Sequence, residues 1–435
     1  MGKKKLFVLS MDAMVADDID QMLKRPDSNF AKLFMHYSGV REVKTIYPSI
    51  TYPAHVSIMT GCYPDKHGVF NNMQMTIEDT HPLWHVLRSS IKVDTIFDAA
   101  KRAGLSTGAV YWPATGNDPN IDYLVNEFFF YENEPLEQTF IDFGANEATM
   151  KAVRENLHLF PPVEKRNKGG NYIDFITGVV CSLIRDVNPD VLLAHNCLFD
   201  TLRHAHGIFN QTITDALDKF DEELGQIMDA MRDAGTLEDT DFVLLSDHGQ
   251  RDYYRVSHLN ALLRRGGFLD IDENNKVKDY RAFVQSNGMS AFVFLKDKDD
   301  KKTYDEVYAY LKKLSEENLW GFREVYTNEE AEKLYRLDGD FSFIVESDNY
   351  TYCSPSWDEP VITDVSWGDY HYGHGTHGYS PEKGPQAIFC CHGPSFKEGV
   401  IIPKSDIINE APTITAAFGQ ALPDADGHVL TEILK

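Results

Sequence analysis

Short, almost wholly apolar runs alternate with amphipathic stretches along most of the chain. Leu6 to Ser10, Thr107 to Trp112, Asp190 to His195, Asp241 to Leu245 and Gln386 to Cys391 are runs of this kind. Strands covered on both faces of a parallel sheet have this length and uniformity. Between them, Asp94 to Ala103, Tyr172 to Val187 and Thr212 to Ala234 carry apolar residues at helical spacing. In the last of these, Ile213, Ala216, Leu217, Phe220, Leu224, Ile227 and Met231 share one face, and Gly235 ends the pattern. Strands separated by helices predict an α/β fold, a mostly parallel sheet with helices on both sides.

From Arg251 to Gly368 the texture changes. Charges cluster at Lys296 to Lys302, Ser290 to Leu295 and Phe341 to Glu346 read as strands, and Tyr304 to Glu317 reads as a helix. The α/β pattern resumes afterwards. The expectation is a core made of residues 1–250 and 369–435, with 251–368 inserted as a small α+β cap whose role is substrate choice. Its aromatics Tyr253, Tyr254, Trp357 and Trp367 are candidates either for a pocket or for packing.

Composition narrows the classes. The 435 residues are 43% hydrophobic and 12% aromatic, which suits a full core and does not indicate disorder. A formal net charge of −25 argues against binding a nucleic-acid polymer, which needs clustered Lys and Arg, but not against a small phosphate ester held through cations. The six cysteines form no CxxC pair, and reduced thiols in a cytoplasmic protein are expected. The basic start, Lys3 to Lys5, is followed by an apolar run that Asp12 interrupts, so a buried first strand is expected rather than a secretory leader. No stretch approaches the ~18 apolar residues of a membrane span. Oligomeric state is not legible.

Five stretches supply candidate chemistry. Thr51 precedes Tyr52 and Pro53, and Pro suits the first turn of a helix, so Thr51 is expected just before a helix N-terminus, where an anion is favoured. Asp12 follows the first strand, at the edge where open α/β sheets bind ligands. Asp200 and His204 lie four apart, on one side of a helical turn. Asp247 and His248 directly follow a strand, with Gly249 for a sharp turn. His377 lies in a Gly-rich loop. Each has a plain structural alternative: a helix cap for Thr51 or Asp12, a surface ion pair for Asp200 and His204, ordinary turns for the others. Those alternatives leave unexplained why so many strand ends of one sheet carry an Asp, a His or a hydroxyl. The joint reading is two metal subsites, with ligands that suit zinc and also admit Mn²⁺. His195, His206, His371 and His374 lie near these residues and are not counted as ligands.

The stretches SMDAM at Ser10 to Met14, TYPAHVSIMTGCYPDKHG at Thr51 to Gly68 with the two Asn after it, YWPATG, DTLRHAHG, SDHGQ and GTHGY together resemble the nucleotide pyrophosphatase/phosphodiesterase branch of the alkaline phosphatase superfamily. The resemblance covers nearly the whole chain. It implies an alkaline phosphatase-like core and two metal ions, usually zinc: Asp12, Thr51, Asp247 and His248 match the residues of one site, Asp200, His204 and His377 those of the other. Thr51 matches the nucleophile, Asn72 a residue that holds a phosphoryl oxygen, and Tyr52 an aromatic that can stack on a nucleobase, although a Tyr beside a Pro equally suits packing. Two positions depart from the family pattern. Arg203 stands where a Gly is usual and would either reach a substrate carboxylate or phosphate or, as favoured, cover its helix in solvent, and Ser380, Pro381 and Glu382 replace an Asn-Asp-like stretch.

The resulting expectation is a two-metal hydrolase of phosphodiesters or nucleotide pyrophosphates acting through a phospho-threonine, with the Asn72 amide and the helix-start N–H groups donating to the phosphoryl oxygens. Its rivals are a phosphonate hydrolase of the phosphonoacetate type, a phosphomonoesterase and a non-catalytic protein that binds metal or phosphate ester. A sulfatase is disfavoured, because it needs Cys or Ser where Thr51 stands.

Overall fold

A computed structural model describes residues 5–77, 83–127, 135–162, 172–365 and 374–435. His371 and Trp367 lie outside these residues. Eight strands form the central sheet: β1 Lys5–Met11, β2 Ser38–Lys44, β3 Thr107–Val110, β4 Tyr123–Val125, β5 Val191–Asn196, β6 Thr240–Leu245, β7 Ala387–His392 and β8 Ile401–Asp406. Their order across the sheet is β8-β2-β7-β6-β1-β5-β3-β4. All run the same way except β7, which is antiparallel to both β6 and β2. Leu6 pairs with Val191 on one side and Asp241 on the other, so β1 is fully enclosed.

Alternation along the strands divides the core between the two faces. Phe7 and Leu9 join one apolar cluster, with the helices Ile173–Asp186 and Gln211–Asp233. Leu6 and Val8 join the other, with the helices Thr51–Thr60, Ile96–Arg102 and Glu410–Ala417. The expected helices form, with ends set by caps: Asn210 accepts from the N–H groups of Thr212 and Ile213, and Thr95 caps the helix that follows it. The expected strand from Thr107 stops at Val110, because Tyr111 turns to a φ of 56°. Edge strand β8 escapes the apolar pattern, since most of its residues face solvent.

Residues 282–347 build a separate antiparallel sheet from Ala282–Ser286, Ser290–Leu295, Phe343–Ser347 and Phe322–Thr327. Its covering helix, Lys301–Glu317, begins three residues earlier than its apolar spacing suggests, because the Asp300 side chain accepts from the Thr303 N–H. Val293, Val307, Leu311 and Phe343 pack between helix and sheet. Among the described residues, no helix is long and apolar enough to cross a membrane.

Candidate metal centre

Three neighbouring parallel strands, β6, β1 and β5, deliver the carboxylates to one edge. Asp12 follows β1 directly and Asp247 and His248 follow β6; beyond β5 the helix Leu198–His206 carries Asp200 and His204 one turn apart. Strand β7 runs the opposite way, so the segment that enters it brings His377 to the same edge. Thr51 is the first residue of its helix rather than the residue before it, and Pro53 still lies in the first turn.

Ligand atoms of Asp12, Asp247 and His248 lie within 4.8 Å of one another, as do those of Asp200, His248 and His377. The two groups share His248. Its Nε2 is 3.6 Å from Asp12 Oδ1, 3.2 Å from Asp247 Oδ2 and 3.3 Å from Thr51 Oγ1. Asp200 Oδ1 lies 3.4 Å from His204 Nε2 and 3.7 Å from His377 Nε2. All the residues expected as metal ligands therefore meet in one continuous cluster.

Surrounding side chains fix these groups. The Asp247 carboxylate accepts from the Ala13 N–H at 3.2 Å. His204 Nδ1 lies 2.8 Å from the Gly375 carbonyl; donating there leaves its Nε2 lone pair for a metal. His55, one turn into the Thr51 helix, bridges the Thr51 carbonyl at 2.8 Å and Ser10 Oγ at 2.8 Å, and sits 3.4 Å from Asp247. Its place four residues after Thr51 was the sequence signal for this role. Gly249 serves close packing rather than a turn: a Cβ there would meet the Pro385 carbonyl oxygen at 2.3 Å.

Two expectations are corrected. Tyr52 is 1% exposed, belongs to the apolar core and packs against Trp84 with ring centroids 5.2 Å apart, so it is not placed to stack on a base. Trp84, not Tyr52, lines the cavity whose wall includes Ile50, Asn72, His204 and His377. Arg203 is likewise 1% exposed instead of solvated. It makes two 2.8 Å bonds to the Asp18 carboxylate and donates to the Ala13 carbonyl, fastening the loop that carries Asp12. A buried guanidinium survives only with such pairing.

The other singled-out residues divide. Asn72 Oδ1 accepts from the Tyr52 N–H at 2.9 Å, which orients its NH₂ group but occupies one of the helix-start donors. Asn71, not anticipated, also lines the cavity. His195 Nε2 lies 3.6 Å from Asp12 Oδ2 and 4.0 Å from Glu127. Burial pushes the Glu127 carboxyl up to about 8. His206, His374 and Tyr254 line a separate cavity of about 510 Å³. Tyr253 is buried and Trp357 packs against the apolar core of the inserted sheet.

The donor set fits divalent cations. Asp12 Oδ1 and Asp247 Oδ2 are buried without hydrogen-bond partners. Burial, then repulsion from Asp247 and Asp200, raises the Asp12 carboxyl well above its usual range. Burial, then the neighbouring His248, pushes His377 well below the ordinary imidazole value, which favours its neutral, metal-binding form. Carboxylates with neutral imidazoles are the hard and borderline donors that Zn²⁺ and Mn²⁺ take.

Comparison with known proteins identifies the family. The model of the family described as "Type I phosphodiesterase / nucleotide pyrophosphatase" matches residues 6–380. The chain belongs to this family. It is 24% identical over 395 residues to ectonucleotide pyrophosphatase/phosphodiesterase 1 of Saccharomyces cerevisiae, covering 82% of this chain and 48% of the yeast protein. The family member 1 protein of Rattus norvegicus is 26% identical over 238 residues, 51% of this chain and 22% of the rat protein. The chain thus spans about half or less of these relatives. Murine ectonucleotide pyrophosphatase/phosphodiesterase 5 shares the fold, with a TM-score of 0.67 at 16% identity over 99% of this chain and 100% of that one.

Proposed function

We propose that the chain is a two-metal hydrolase of phosphodiester or nucleotide pyrophosphate bonds with Thr51 as nucleophile. The observation that carries this reading is the shared cluster: two ligand groups joined at His248, whose Nε2 is 3.3 Å from Thr51 Oγ1. Asp12, Asp247, His248 and Thr51 hold one cation and Asp200, His204 and His377 the other, zinc suiting both. Bound there, the cations would supply Lewis acidity that helps Thr51 lose its proton and neutralises charge on the attacking and leaving oxygens.

Thr51 Oγ1, having lost its proton to solvent, bonds to phosphorus as the bond to the leaving oxygen breaks on the opposite side, and a phospho-threonine that keeps the other ester group forms. Water then attacks that phosphorus and frees Thr51. His55 pins the first helical turn through the Thr51 carbonyl, which aims the hydroxyl at one fixed point. The Asn71 and Asn72 side chains sit beside it in the cavity wall as donors for the phosphoryl oxygens. With Tyr52 N–H taken by Asn72 and Pro53 lacking one, the Thr51 N–H is the helix-start donor left in that turn.

Charge supports a diester. No Lys or Arg lines the cavity among the described residues. A phosphomonoester or a pyrophosphate carries at least one more negative charge than a diester, and phosphonoacetate adds a carboxylate; with no cationic side chain in that lining, the simple diester fits it best. Residues 251–368, read as a cap, form part of this cavity through Ser286, Asn287, Gly288 and Tyr352. A reducing, cytoplasmic setting completes the reading, supported by six free thiols, with adjacent Cys390 and Cys391 directed into opposite cores.

Initial rates on the p-nitrophenyl ester of thymidine 5′-monophosphate and on p-nitrophenyl phosphate, with Zn²⁺ present, test the proposal. At least a ten-fold preference for the diester is expected. Preference for the monoester would reassign the protein as a phosphatase. No turnover of either by metal-loaded protein would favour a phosphonate hydrolase or a binding protein.

A further inference from the structure

We infer that Asn287, together with Trp84 and Tyr352, forms a subsite for an uncharged ring that presents a hydrogen-bond donor beside an acceptor, the edge offered by a nucleobase. This rests on the phosphodiesterase reading and specifies the half of the substrate that does not react.

Asn287 occupies the turn between Ala282–Ser286 and Ser290–Leu295 and lines a cavity of about 220 Å³ whose wall also holds Ile50, Asn72, His204 and His377. It is only 6% exposed, yet neither its Oδ1 nor its Nδ2 has a hydrogen-bond partner. Leaving both ends of a buried amide unpaired is costly, and a ligand that supplies an acceptor and a donor together removes that cost. Asn is suited to such a paired edge, as in its bidentate contact with adenine. Trp84 and Tyr352 line the same cavity and offer aromatic surface for the ring itself. No Lys or Arg is in the described lining, so an uncharged group fits it better than a second anionic one. The volume is small beside the roughly 300 Å³ and upward of most ligand pockets and suits a single compact group.

The position of Asn287 relative to the metal centre is fixed. The Met289 N–H donates to the His377 carbonyl at 2.9 Å, and Ser290 Oγ donates to the Gly378 carbonyl at 2.6 Å. A Cβ on Gly378 would lie 1.7 Å from the Asn287 carbonyl oxygen, and one on Gly288 would lie 2.5 Å from that of His377. Two glycines therefore let the turn and the His377 loop lock backbone to backbone. A group held by Asn287 is held at a set distance from the reacting phosphorus.

The test is the ratio of kcat/KM for the p-nitrophenyl ester of thymidine 5′-monophosphate to that for methyl p-nitrophenyl phosphate, measured with Zn²⁺. Both are diesters with the same leaving group, and only the first carries a base. Asn287→Ala is expected to lower the ratio about ten-fold. Asn287→Asp, which keeps the volume but has no donor, is expected to lower it too, and it carries the test if the alanine variant folds poorly. A ratio within two-fold of the unmodified protein's in both variants overturns the subsite while leaving the phosphodiesterase reading intact. Failure of the unmodified protein to turn over either ester overturns both.

Discussion

The two halves of the candidate metal cluster differ in what holds them. The side chains of Asp12, Asp247 and His248 are at most 3% exposed, while those of Asp200, His204 and His377 are 13–20% exposed. The buried half is anchored on adjacent central strands, and its surroundings are the fixed bonds of Ala13, His55 and Arg203. The open half is assembled from the end of a helix, a glycine-bearing loop and a turn from the inserted sheet, and it faces the cavity. On the proposed reading, the contrast puts rigidity where Thr51 must stay aimed and access where the leaving group would depart.

Removing a carboxylate from the buried half should do most damage. Asp247→Asn is expected to lower kcat about 10³-fold and to cost the protein at least one bound metal, read by elemental analysis of the purified variant. Full metal content with normal turnover would break the proposed division. Next in size is a stability effect: Arg203→Met leaves the Asp18 carboxylate buried and unpaired, and should destabilise by about 3–5 kcal/mol in urea unfolding. Adding Asp18→Leu should recover part of this, since removing both charges is far less costly than removing one.

In the open half, His204→Gln is expected to reduce kcat about 10²-fold, with higher added Zn²⁺ restoring part of the rate. Stepwise chelation of the unmodified protein should strip the open site first and should lower thermal stability, because a ligand bound only by the folded state stabilises it by about 4 kcal/mol at a thousand times its Kd. Loss of both metals in one step would erase the distinction between the halves.

A further effect lies outside the centre, is confined to acid pH and sharpens the buried side of the comparison. His67 is fully buried, accepts from the Val69 N–H at 3.2 Å, and is held by burial, then by Lys92, at about 3 instead of 6.5. Its folded pKa is depressed, so the unfolded chain binds the proton first. Stability is complete above about pH 6.5 and falls as the pH drops towards 3. His67→Gln should show a shallower acid loss of stability over this window, and an unchanged acid limb would contradict the assignment.

The chain's pattern made most of the core legible because buried parallel strands announce themselves as short apolar runs, and the clustering of the candidate ligands followed because Asp12, Asp247 and His248 come at the ends of such runs. The reversed direction of β7 left no mark, since a strand enclosed on both sides reads alike in either direction. Tyr52 shows a different limit: adjacency to the nucleophile fixes where its backbone lies, but its side chain turns inward along the helix and Trp84 covers it. Arg203 was opaque because its partner, Asp18, lies 185 residues away in the chain. Asn287 and Trp84 are brought to the cavity by tertiary folding, and nothing local in their neighbourhoods points to Thr51.

Thr51 is the atom-level claim on which the account turns, and acid-quenched turnover reads it directly. Protein mixed with the thymidine ester and Zn²⁺, quenched within a few turnovers and digested, should yield a peptide containing Thr51 that carries the mass of a nucleotidyl adduct, absent in Thr51→Ala. Turnover retained by Thr51→Ala, with no adduct in either protein, would show that water attacks phosphorus directly and would contradict the covalent route.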